Sequence, residues 1–218
     1  MRYLPIVPAV IPKSSDEVIQ TARSLKFSAE YHLDLVDGNF VSSVCWPYEP
    51  KGEPISVKPK LDFYTLEIDL MVSDPIEAAN TWIKAGADML VFHIETISLS
   101  DFKKFTESCE VSVGVSAHGE TTLVALSEYA KEADYIQLMG IREIGAQGLP
   151  FDEEVIDKIK ELKQKFPFKS ITVDGSVNKN TIKLLADAGA DRLVCGSAIV
   201  KQPDPEQAYK ELNQIINQ

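Results

Sequence analysis

Basic blocks, paired cysteines and long apolar runs are all missing from this sequence, and each absence removes a class of protein. Lysine and arginine number 22 against 33 aspartates and glutamates, for a net charge of -11, so no cluster is suited to neutralising a nucleic-acid backbone. No nucleic-acid partner is expected, although a small phosphorylated ligand needs only a local site. The three cysteines, Cys45, Cys109 and Cys195, lie far apart without metal-knuckle spacing and read as isolated thiols of a reducing compartment. No segment approaches the ~20 apolar residues of a membrane span, and no signal-like run opens the chain. No membrane partner and a cytoplasmic location are expected. The first turn, PAVIPKS, also lacks the glycines of a dinucleotide-binding strand–turn–helix.

What is present is an alternation. Short apolar runs at 3–11, 29–35, 65–71, 88–94, 110–116, 134–139, 169–174 and 191–197 read as strands. Between several of them lie amphipathic segments such as SSDEVIQTARSLK, DPIEAANTWIKAG, DEEVIDKIKELKQKF and NKNTIKLLADAGA, several opening on capping residues. Two near-identical joins, KAGADMLVFH and DAGADRLVCG, mark one helix-to-strand turn used twice. Strands followed by crossovers imply a parallel sheet, and eight such units in 218 residues predict one α/β domain over 1–218, a closed (β/α)8 TIM barrel. An open doubly wound sheet is the alternative. One crossover is irregular. Its segment WPYEPKGEPISVKPKLDF carries four prolines, which predicts that residues 47–62 lack a full crossover helix and form an extended loop with about one helical turn.

In a (β/α)8 barrel the chemistry sits at the C-terminal ends of the strands. Several strands place a titratable residue there: His32 and Asp34 in the second, Asp69 in the third, His93 and Glu95 in the fourth, and Asp174 in the seventh. Any one of these has an ordinary structural explanation. Several converging on one rim, mostly carboxylates, would repel one another unless a cation sat between them, so a metal is expected. Glycines give the second signal. VDGSV and VCGSAI place Gly175, Ser176, Gly196 and Ser197 after the last two strands, where backbone amides can hold a phosphate, and GAQG adds Gly145 from a third loop.

These motifs resemble those of the ribulose-phosphate 3-epimerases. HLDLVDGNFV is similar to their second-strand motif, IDLMVSDP to their third, FHIE to their fourth and YIQLM to their sixth. ITVDGSVNKNTIKLLADAGADRLVCGSAI resembles their last two units, and the order holds over nearly the whole chain. The resemblance implies an isomerase of carbohydrate metabolism in the pentose phosphate pathway, interconverting D-ribulose 5-phosphate and D-xylulose 5-phosphate. It implies one divalent ion (zinc, manganese, iron, cobalt or magnesium) on His32, Asp34, Asp69 and Asp174, with Asp34 and Asp174 moving the proton. Met71, His93 and Met139 would line the substrate pocket. A small phosphorylated sugar is the expected partner, and a homo-oligomer the expected assembly.

Three positions depart from the family pattern. Asp69 stands where the family has a second histidine, which implies a harder site leaning toward manganese or magnesium. Ala9 replaces a serine, and IREIGAQG replaces a glycine-richer loop after the sixth strand. Two other readings compete: a non-catalytic sugar-phosphate-binding barrel, and the related decarboxylase and hexulose-phosphate synthase group. The second group carries Asp-x-Lys-x-x-Asp on its third strand, where this chain has Met71 in place of the lysine.

Overall fold

The structure, a computed structural model, describes residues 4–217. Eight parallel strands close into a barrel in sequence order, from β1 next to β2 around to β8 next to β1. They are β1 (Ile6–Val10), β2 (Glu30–Val36), β3 (Thr65–Met71), β4 (Met89–His93), β5 (Ser112–Ser116), β6 (Tyr135–Met139), β7 (Ser170–Asp174) and β8 (Arg192–Cys195). Each falls within, or one residue beyond, the apolar run that predicted it; Tyr3, at the start of the first run, lies outside the described residues. The closed barrel excludes the open-sheet alternative.

Helices wrap the barrel: α1 (Ser15–Ser24), α2 (Lys58–Leu61), α3 (Pro75–Lys84), α4 (Leu99–Ser108), α5 (Leu123–Ala130), α6 (Glu154–Lys165), α7 (Ile182–Ala188), α8 (Ser197–Val200) and α9 (Pro205–Ile216). Their starts are written locally. Ser14, Asp74, Ser98, Thr122 and Asp204 each accept a hydrogen bond from the amide three residues on, satisfying donors that an uncapped helix leaves orphaned. One apolar face of each long helix covers the sheet, as with Val155, Ile159 and Leu162 of α6, spaced to share a side. None of the helices among the described residues is long and apolar enough to cross a membrane.

The repeated Ala-Gly-Ala-Asp join has a physical reason. Asp88 accepts from the Leu66 amide at 2.9 Å and Asp191 from the Ile171 amide at 2.7 Å, so each aspartate locks the new strand to the one before it. Asp134 does the same to Val113 at 2.8 Å, without the full motif. The proline-rich crossover behaves as its composition predicts. A 3-10 turn at Pro54–Ser56 and the single turn of α2 replace a long helix, and buried Trp46 anchors the segment edge-on against Trp82 of α3 at 5.9 Å.

Candidate active site

Strands β2 and β3 run in register, so His32 sits beside Glu67 and Asp34 beside Asp69. Side chains alternate across a strand, and these four share the face that looks into the barrel. Asp174 arrives from the end of β7. One ligand atom from each of His32, Asp34, Asp69 and Asp174 lies within 4.8 Å of the others. Three are buried and Asp174 keeps a partly exposed edge toward the mouth.

Gathering acids in this way has electrostatic consequences. Burial raises the Asp34 carboxyl above its ordinary pKa; the His32 contact works against that rise, while Asp69 and Glu67 add to it. Asp174 is pushed well up, by withdrawal from water first and by the Asp34 charge second. His32 touches carboxylates through both ring nitrogens, Glu67 through Nδ1 at 2.6 Å and Asp34 through Nε2 at 3.1 Å. A neutral imidazole donates only one hydrogen bond. Burial opposes a charge on His32, yet the Glu67 and Asp34 carboxylates outweigh it and hold its pKa well above normal. A positive charge is therefore wanted between His32 Nε2 and the acids. A set of one imidazole and three carboxylates is chemically suited to a divalent ion, with Glu67 accepting from Nδ1 to leave Nε2 as the ligand atom.

Beneath this set lies a layer that the sequence reading passed over. Glu67 accepts from His32, from Tyr135 Oη at 2.6 Å and from Arg192 Nη1 at 2.6 Å, and Arg192 also reaches Glu30 at 2.8 Å. Burial works against ionised Glu67, but Arg192 and His32 overcome it and hold its pKa below the usual carboxylate range. Tyr135 crosses the barrel because Gly114 leaves it room: a Cβ there would come within 2.4 Å of the ring. A signal existed. Glu67, Asp69 and Met71 alternate along one strand, so an inward Asp69 implies an inward Glu67.

The mouth continues from these acids to a wall of glycine turns. A cavity of about 250 Å³ is lined by Asp34, Asp174, Met71, Met139, Gly145, Gly175, Ser176, Gly196 and Ser197, among others, which brings most of the expected site residues together. Ser176 adopts a left-handed φ of 52°, a conformation uncommon outside glycine and found often at functional turns. At Gly196 a Cβ would stand 2.5 Å from Gln147 Nε2 and 3.6 Å from the Ala9 carbonyl, so the backbone approaches the cavity where a side chain would block it.

Two expectations need correcting. His93 does not line the cavity; it is fully buried and contacts Asp69 Oδ1 through Nε2 at 2.9 Å, behind the rim. Glu95 turns away in a 3-10 turn after β4 and accepts from the His118 amide at 2.8 Å and from the Thr121 hydroxyl. The chain leaves the strand direction just past His93, which re-aims the next side chain.

A barrel whose mouth joins a carboxylate cup to a glycine-lined wall defines a class, the (β/α)8-barrel enzymes that work at the C-terminal ends of their strands. The model of the ribulose-phosphate 3-epimerase family matches residues 6–200. A ribulose-phosphate 3-epimerase of Bacillus subtilis (strain 168) is 33% identical over 189 residues, 83% of this chain and 84% of the relative. The cytoplasmic isoform of Oryza sativa subsp. japonica is 28% identical over 202 residues, covering 89% and 86%. Among solved structures, a 3-hexulose-6-phosphate synthase gives a TM-score of 0.72 at 20% identity, covering 98% of this chain and 100% of that one. KGPDC from Streptococcus mutans in complex with D-R5P gives 0.75 at 14%, covering 99% and 98%. At such identities these structures speak for the fold. The sequence matches speak for more: the chain belongs to the ribulose-phosphate 3-epimerase family, and it is an epimerase.

Proposed function

We propose that the protein epimerises a phosphorylated ketose at its third carbon, interconverting D-ribulose 5-phosphate and D-xylulose 5-phosphate. The observation that carries this reading is the pair Asp34 and Asp174, carboxylates from β2 and β7 that line one cavity with the glycine turns. Inverting a carbon needs a proton taken from one face and a proton returned to the other. Two carboxylates divide that work, one as base and one as acid, and exchange roles when the reaction runs backward. A divalent ion (zinc, manganese, iron, cobalt or magnesium) held by His32, Asp34, Asp69 and Asp174 would supply Lewis-acid stabilisation of negative charge on the substrate oxygens.

The chain's own groups do the rest. Glu67 fixes the tautomer and ring orientation of His32. Met71 and Met139 give the cavity apolar walls between the two acids and the rim. Amides at Gly175, Ser176, Gly196 and Ser197, with Gly145 from the loop after β6, hold the phosphate and so set the distance from it to the reacting carbon.

The decarboxylase and synthase group shares the barrel, and KGPDC was solved with D-R5P bound. That chemistry would need an ammonium where Met71 lines the cavity, and Asp74, the second acid of its motif, is spent capping α3 through the Glu77 amide. Both observations favour the epimerase. The test is exchange of the third-carbon proton of D-ribulose 5-phosphate in heavy water, with manganese, zinc or magnesium added. Exchange with formation of D-xylulose 5-phosphate is expected. No exchange with any metal, while a sugar phosphate still binds, would make the protein an enzyme of a different sugar or a binding barrel instead.

A further inference from the structure

Strand β6 braces strand β3 from across the barrel, two rungs deep. Tyr135 reaches Glu67, and two residues on Gln137 reaches Asp69, its Nε2 donating to Oδ2 at 2.8 Å. Strands β4 and β5 lie between the two in the sheet, so each contact spans the interior rather than joining neighbours. His93 takes the other oxygen of Asp69, Oδ1. Both oxygens of this carboxylate are therefore engaged by side chains, and its rotation about Cβ–Cγ is fixed from two directions.

Gln137 is fully buried, and its Oε1 finds no hydrogen-bond partner among the described residues. An orphan buried acceptor costs free energy that a leucine at this position would avoid. Its amide orientation follows from the contact it does make, because turning Oε1 toward Asp69 would set acceptor against acceptor. Nor is its second contact a competitor: Nε2 lies 3.8 Å from Met139 Sδ, and sulfur is a weak acceptor.

We propose that Gln137 is a positioning residue that holds Asp69 in the orientation required of a carboxylate ligand, and so sets the affinity of the site for a divalent ion. The inference rests on the metal reading given above. Neighbours that orient a ligand typically govern metal affinity by about 10- to 100-fold.

The test is titration of metal-free protein with Mn²⁺, followed calorimetrically, for the unmodified chain and for Gln137→Leu, with thermal midpoints measured in chelator. Gln137→Met, which keeps the length, replaces the leucine variant if that does not fold. The expected result is an affinity for Mn²⁺ lower by about 10- to 100-fold while the chelator midpoint stays within a few degrees. An affinity within about threefold of the unmodified protein overturns the proposal, as does a loss matched by a collapsed midpoint in both variants, since Gln137 would then be structural only. Should the unmodified chain itself bind neither Mn²⁺, Zn²⁺ nor Mg²⁺, the metal reading fails first, and the proposal falls with it.

Discussion

On the β2–β3 side of the mouth, Asp34 and Asp69 stand side by side with His32 and Glu67 below them, all buried. On the β8–β1 side, Val7, Ala9 and Val194 form a separate small apolar cluster, and the rim above is the Gly196–Ser197 turn. Both sides are suited to charged partners, a cation on one and an anion on the other, yet they are built differently. The acid side needs support. Arg192 and Tyr135 hold Glu67 from beneath, and His93 and Gln137 engage the two oxygens of Asp69. The glycine side carries no buried charge of its own to satisfy, and its backbone amides ask chiefly for room. Removing charge should therefore break the first side, and adding atoms should break the second.

The largest effect is expected from Asp174→Asn. The shape is kept, but the basic oxygen and the charge are lost together. Proton exchange at the third carbon should fall by at least ~10²–10⁴-fold, the usual share of a general acid or base. Circular dichroism should stay unchanged, since Asp174 lies at a partly exposed strand end. Exchange within tenfold of the unmodified enzyme would remove Asp174 from the proton path and leave the acid side with a structural role alone.

Next comes the support layer. Glu67→Gln leaves Arg192 buried with Glu30 as its remaining acid and sets an amide against His32. Breaking a buried ion pair costs about 3–5 kcal/mol, and the surviving Glu30 contact argues for the lower figure. Urea unfolding in chelator measures it. A cost under ~1 kcal/mol would mean that the acids need no support from below, and the contrast with the glycine side would lose its basis.

A smaller effect, of the opposite kind, is expected at Gly196. The added Cβ of Gly196→Ala meets the end of the flexible Gln147 side chain, which can move, so stability should change by under ~1 kcal/mol. The proposed phosphate cradle would narrow, and KM for the sugar phosphate should rise by about tenfold with kcat less affected. Should kcat fall with KM unchanged, the turn would belong to the chemistry and not to phosphate binding.

The two sides also differ in how far the sequence disclosed them. Apolar runs, caps and the repeated Ala-Gly-Ala-Asp join made the barrel legible, because strand alternation and capping are local physics. His32, Asp34, Asp69 and Asp174 were legible as strand-end acids in an apolar setting. The glycine turns were legible because few residues other than glycine fit such an approach. The support layer was not. Tyr135, Gln137 and Arg192 sit on strands distant from the acids they serve, and only closure of the barrel brings them across. His93 looked like a pocket residue because strand position alone does not say how far below the rim a side chain ends.

Asp37 offers the finest test, since it places the chemistry of the glycine side on the acid side. It follows β2, and its carboxylate accepts from the amides of Asn39 at 2.9 Å, Phe40 at 3.0 Å and Ser73 at 2.8 Å, and from the Ser73 hydroxyl at 2.6 Å. Partial burial works against the charge, but the Ser73 donors and the two loop amides prevail and lower its pKa from 3.8 to about 2. Here an anion is held by backbone N–H groups without a cation, as proposed for the phosphate. The sign follows from the shift. A carboxyl depressed on folding adds stability that is fully present above its unfolded pKa near 4 and is lost as the pH falls through about 2. Because the group is only partly buried and water screens it, the contribution is about 1 kcal/mol or less. Asp37→Asn should therefore cost about that much in urea unfolding at pH 7, less at pH 3, and nothing below pH 2. A cost independent of pH would show that the loop is held by shape and not by amides gripping a charge. The proposed phosphate site would then lose the nearest example of its own chemistry.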